Sequence, residues 1–172
     1  MSERILIPLD GSKLGEAALS YVDKLISRLA PDEKIEITLF HVITTVTHAP
    51  HMPAVGGGVV SVPYNVEELA EMKDEATDYL NKVSDGLRNE QVTVICKVSV
   101  SEKPAEEIIK AEVEVNADLV AMSTHGRSGI SRFAFGSVAD KVLRGGSVPV
   151  LMVRVSEPSL WEKVSLTTGS TS

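Results

Sequence analysis

Short apolar runs alternate along this chain with longer stretches in which apolar residues recur every three or four positions. The first run, "RILIPLD" (4–10), ends in an acid and predicts a buried strand. After it Leu14, Ala17, Ala18, Tyr21, Val22, Leu25, Ile26 and Leu29 fall on one helical face, with Ser12 as a candidate N-cap and Pro31 just past the end. "KIEITLFHVI" (34–43) alternates and then turns apolar, which predicts a second strand. A long helix follows farther on, with Leu69, Met72, Ala76, Leu80, Val83 and Leu87 on one face and many acids on the other. "VTVICKVSV" (92–100) predicts the third strand and "PAEEIIKAEVEVN" (104–116) a helix opened by Pro104, a position where proline is tolerated. "ADLVAMS" (117–123) predicts the fourth strand, "SVADKVLRGG" (137–146) a helix stopped by glycine, and "PVLMVRV" (149–155) the fifth strand.

Strands that alternate with helices imply an α/β fold, a parallel sheet with right-handed crossovers. The first, fourth and fifth strands are apolar almost throughout, as strands covered on both faces should be. One domain is expected over residues 1–155, followed by a polar tail at 156–172 in which Trp161 is free to dock on the body or on a partner. The connection 44–65 has three prolines and three consecutive glycines, and no element is predicted in it. Connections of that length are usually functional or mobile. His48 and His51 lie there without a nearby cysteine or carboxylate, so they read as solvated side chains rather than metal ligands.

Charge narrows the function. A formal net charge of −7 argues against a general nucleic-acid surface but leaves room for a small anion at a locally positive site. The single cysteine, Cys96, excludes an internal disulfide framework and reads as a small core residue rather than a reactive thiol. The N-terminus shows no secretory pattern and no run approaches a membrane span, so a cytoplasmic protein is expected.

The stretch with candidate chemistry is "STHGRSGISRFAFGS" (123–137), which leaves the fourth strand and opens the next helix. Gly126 and Gly129 let the backbone turn sharply and bring its N–H groups close to a ligand. Gly136 and Ser137 lie where the helix starts, and the dipole and free amides of a helix N-terminus favour phosphate. Ser128 and Ser131 add hydroxyls, and Arg127 and Arg132 add charge, completing an anion nest; a plain surface turn is the competing reading. The stretch is neither a P-loop, since no Gly-Lys-Ser/Thr ending exists, nor the dinucleotide fingerprint, which belongs after the first strand. In an open parallel sheet a ligand sits beyond the carboxyl ends of the strands, where strand order reverses.

Together with "RILIPLDGS", the run "STHGRSGISRFAFGSVADKVLRGGSVPVLMVR" resembles the universal stress protein family, over roughly residues 3–155. Members of that family that bind ATP carry a G-x-x-G-x₉-G-[S/T] pattern. Gly126, Gly136 and Ser137 match it at the right spacing, and Ser123 stands in place of the first glycine. The resemblance implies an open five-stranded parallel sheet in strand order 3-2-1-4-5 with helices on both faces, a Rossmann-like fold of the adenine nucleotide alpha hydrolase kind. It implies a nucleoside pocket lined by Pro8, Leu9 and Asp10, with adenine met by the backbone at Val42. Met122 and Ser123 would lie under the nucleotide. Gly126, Arg127, Gly129, Gly136, Ser137 and Val138 would surround the phosphates, with His125 either a phosphate contact or a turn residue. Asp10 has the bland alternative of capping the first helix. Mg²⁺ would ride on the phosphates with one hydroxyl ligand and waters. The resemblance also implies a homodimer through strand 149–155.

An ATP-binding stress-response regulator follows as the expectation, with slow hydrolysis at most, because no Ser/His/Asp order with credible spacing exists. The alternatives are a dimeric interaction protein of the same family without nucleotide, acting on an unknown protein partner, and a nucleotide-transferring enzyme.

Overall fold

The computed structural model describes residues 2–13, 15–27, 34–44, 47–48, 62–125 and 136–155. Its main sheet has five parallel strands, β1 (Ser2–Leu9), β2 (Lys34–Ile43), β5 (Val92–Val100), β6 (Leu119–His125) and β7 (Val150–Val155), in the spatial order β5-β2-β1-β6-β7. Counted in chain order these are the third, second, first, fourth and fifth strands, as the resemblance implied. Within the 44–65 connection, Thr47–His48 (β3) and Val62–Pro63 (β4) form a short antiparallel ladder that no periodicity foretold. His51 lies outside the described residues.

Helices α1 (Ala17–Ile26) and α2 (Val66–Asp85) pack on one face, α3 (Pro104–Glu114) and α4 (Ser137–Gly145) on the other. The period-two alternation of strand side chains feeds the two cores separately. Ile5, Ile7, Leu9, Ile37 and Leu39 point to the α1/α2 side, while Leu6, Phe40, Val120 and Met122 point to the α3/α4 side. Cys96 is half-buried against the α1/α2 core, a packing residue as its surroundings in sequence suggested.

Three details differ from the sequence reading. First, α1 begins at Ala17, so Ser12 is not its N-cap. Asp10 Oδ1 accepts from the Ser12 amide at 3.0 Å and from the Ser12 hydroxyl at 2.6 Å, and Ser12 Oγ accepts from the Gly15 amide at 3.0 Å. This Asx-type turn consumes the groups that would have started the helix. Second, the buried stripe of α1 is Ala18, Leu19, Val22 and Ile26, leaving Tyr21 and Leu25 exposed. Third, β6 continues through Ser123 and Thr124 to His125, because β7 pairs with it in register as far as Val155. The predicted tail beyond 155, with Trp161, lies outside the described residues.

Elsewhere the local signals hold. Asn65 opens α2 with a reciprocal capping box: its side chain accepts from the Glu68 amide at 2.9 Å, and its own amide donates to Glu68 Oε2 at 2.8 Å. Helix α3 ends in a Schellman turn, with Asn116 at φ 47° and the Ala117 amide donating to the Glu112 carbonyl at 2.9 Å.

Candidate functional site

The strands themselves open the crevice. Among the described residues β1 and β6 pair only at Ile5↔Leu119 and Leu6↔Val120, two residues before Pro8, which has no N–H to extend the ladder. Beyond that point β1 stays with β2 as far as Leu9↔His41, while β6 runs on beside β7. Neighbouring strands thus part where strand order reverses.

A cavity of about 300 Å³ fills this opening on the α3/α4 side. Its floor is built from strand ends: Pro8 and Leu9 of β1, Phe40 and Val42 of β2, Met122 and Ser123 of β6. One wall is α3, through Pro104 and Ile108; the facing wall is the start of α4, from Gly136 to Ala139. Asp10, Gly15 and Thr44 form the lip. The volume lies at the lower end of the range for small-ligand pockets, and the lining joins apolar surface to a few polar groups, as such pockets do.

Two positions are informative for their backbone. Gly136 is the N-cap of α4, and among the described residues no side chain caps that helix and a Cβ built on Gly136 would meet nothing within 4 Å. Its φ of −54° is open to any residue, so the fold itself makes no demand for glycine there. Gly15 is the opposite case: a Cβ would sit 2.5 Å from Asp10 Oδ1. Only glycine lets the Asp10 carboxylate fold back over its own turn.

Beneath the lip, on the α1/α2 side, His41 Nδ1 lies 2.8 Å from the Leu9 carbonyl, and the ring meets Tyr79 edge-on with centroids 6.3 Å apart. The Tyr79 hydroxyl donates to Glu16 Oε1 at 3.2 Å. Burial pushes the Tyr79 hydroxyl well above its ordinary range, aided by the charge of Glu16, the bond to it, and the charge of Asp10.

Of the residues expected at the site, Pro8, Leu9, Asp10, Val42, Met122, Ser123, Gly136, Ser137 and Val138 line this one cavity. His125 closes β6 with its backbone, and its side chain lies outside the described part, as do Gly126, Arg127, Gly129 and Arg132. Sequence reasoning missed Phe40, Thr44, Gly15, Pro104, Ile108 and Ala139. Phe40 had a usable signal, since it stands two residues before Val42 and strand parity puts both on one face. Phe40 also lines a second cavity of about 390 Å³ between β5 and α3, beside Lys97, Ser99, Glu107, Lys110 and Glu114.

Residues 1–154 match the model of the universal stress protein family. The chain is 30% identical over 159 residues to the universal stress protein MJ0577 of Methanocaldococcus jannaschii, covering 90% of this chain and 96% of that protein. It is 27% identical to the universal stress protein YxiE of Bacillus subtilis, covering 90% of this chain and all of the relative. Among solved structures, MJ0577 superposes with a TM-score of 0.65 at 22% identity, over 91% of this chain and 98% of its own. A universal stress protein in complex with cAMP superposes with a TM-score of 0.53 at 18% identity, over 90% of this chain and 98% of its own.

Proposed function

Since the chain belongs to the universal stress protein family, we propose that it is an ATP-binding member, a dimeric regulatory module of the stress response and not a dedicated enzyme. The observation that carries this reading is the two-part lining of the crevice cavity: an apolar floor of strand ends and, at one wall, the start of α4. The floor suits a purine and its ribose. The first-turn amides of α4 have no intrahelical acceptor, and the positive end of the helix dipole favours phosphate. Beyond Leu9↔His41 the backbone of β2 runs on without β1 beside it, so groups near Val42 are available to read an adenine edge.

Mg²⁺ belongs with the phosphates in this reading, Ser137 offering a hydroxyl at the helix start and water completing the shell. Turnover is slow at most. Asp140, the acid in the first turn of α4, is engaged by Arg144 Nε at 3.0 Å, which suits it poorly as a base. Strand β7 pairs only with β6 among the described strands, and its apolar sequence suits pairing with a second copy across a two-fold axis. No helix among the described residues is long and apolar enough to cross a membrane; a cytoplasmic setting is part of the same proposal.

Equilibrium titration with ATP and with GTP, each with Mg²⁺, tests the reading. ATP should bind more tightly, and cAMP should compete for the same adenine pocket. Equal affinity for ATP and GTP, or none for either, would overturn it. Mass spectrometry of nucleotide carried through purification gives an independent check.

A further inference from the structure

Ser123 is near the end of β6, and its hydroxyl turns toward α1. It accepts a hydrogen bond from the Ala18 amide at 2.9 Å and donates one to the Gly15 carbonyl at 2.9 Å. The Ala18 amide belongs to the first turn of α1, where the helix supplies no acceptor. Glu16, the N-cap residue of that helix, makes no side-chain cap of its own. Ser123 therefore caps α1 from a different element, 105 residues away in sequence. The contact continues to the lip of the cavity. Gly15 donates to Ser12 Oγ at 3.0 Å, Ser12 Oγ donates to Asp10 Oδ1 at 2.6 Å, and Gly15 itself lies against that same carboxylate oxygen.

We propose that Ser123 is a positioning residue of the nucleotide site: its hydroxyl clasps the turn from Asp10 to Glu16 onto β6 and so sets where the Asp10 carboxylate stands at the cavity lip. The role rests on the nucleotide reading above. It also accounts for a serine at this motif position. The side chain is on the α1 side of the sheet, as alternation with Met122 requires, and its hydroxyl is engaged there instead of standing over the cavity floor.

The test uses the full chain with ATP and Mg²⁺ as the probe. In Ser123→Ala, hydrogen exchange at the Ala18 amide, measured without nucleotide, should rise about tenfold, the worth of one ordinary hydrogen bond. ATP affinity should fall about threefold to tenfold, and in an Asp10→Ala background the same substitution should cost less than about twofold, because the two residues act as a unit. Ser123→Thr, which keeps the hydroxyl, should restore both readouts. A purely structural role would weaken binding by the same factor with or without Asp10. Unchanged exchange at Ala18, or equal losses in the two backgrounds, would overturn the proposal. Should Ser123→Ala fail to fold, Ser123→Cys, close in size but a poor hydrogen-bond partner, carries the same expectations. Wild-type protein that binds no ATP would remove the nucleotide reading and the clasp's role at the pocket with it. The exchange result would then still report whether the clasp holds the turn.

Discussion

Glu112 and Ser147 are joined twice: Glu112 Oε1 accepts from the backbone amide of Ser147 and from its hydroxyl, each at 2.7 Å. The carboxylate is 1% exposed, and the turn it holds leads from α4 into β7. Ser147→Ala removes one charge-assisted bond and should lower stability by about 1.5–3 kcal/mol. The denaturant midpoint should fall without a change in slope. ATP affinity should stay as in wild type, since this turn lies at the amino end of β7 and the cavity at the carboxyl ends of the strands.

Gly136→Val separates fold from ligand. The added side chain meets no atom of the described residues, so thermal melting without nucleotide should shift little beyond the loss of a good N-cap residue. The same bulk stands where the first-turn amides of α4 are to meet phosphate. Losing one or two charge-assisted hydrogen bonds should weaken ATP binding roughly tenfold to several hundredfold. Wild-type affinity in this variant would show that the start of α4 is not a phosphate site.

Asn116 holds the left-handed position of the Schellman turn after α3, at φ 47°. Glycine enters that region without a Cβ penalty, so Asn116→Gly should keep or slightly raise the melting temperature. Asn116→Val should cost about 1–2 kcal/mol, because a β-branched residue is poorly suited to this backbone. Paired melts of the two variants test the assignment.

Tyr79 should contribute to the fall of stability at alkaline pH. Its hydroxyl ionises at higher pH in the folded chain than the ordinary tyrosine value of 10.0. Above pH 10 the unfolded chain releases this proton while the folded one keeps it, so stability falls as pH rises. The contribution is fully present below pH 10 and is lost on the way up to the folded value. Tyr79→Phe should therefore flatten the stability curve above pH 10 and leave its slope near neutrality unchanged. Denaturant melts across pH 8–11 measure both.

Under the proposed function, pairing through the β7 edge is expected to set the oligomeric state. Wild-type protein at micromolar concentration should sediment at twice the chain mass, and Val153→Lys should sediment as a monomer. Val153 is half-buried against the α1/α2 core, so circular dichroism of the variant should accompany the run. A wild-type monomer would exclude pairing through this strand.

Much of this architecture was legible because strands and helices differ in period. Strand β5 has the bounds that alternation gave it, and Pro104 marks the first residue of α3. What escaped was decided by partners distant in sequence or by turn chemistry. Ser-Thr-His looks like the start of a loop, yet β7 supplies the ladder that keeps it in β6. Ser12 looks like an N-cap, yet Asp10 and Gly15 claim it first. At the site, strand ends such as Pro8 and Met122 could be named from the family resemblance, and both lie at the carboxyl edge where a parallel sheet gathers chemistry. Ile108 could not, because the helix that overhangs the crevice is chosen by how the crossovers pack and carries no mark of its own.

Phe40 is the one residue common to the linings of the two cavities on the α3/α4 face. The residue, 5% exposed, stands where the two linings meet. Cutting the ring back to Ala should therefore enlarge both hollows at once.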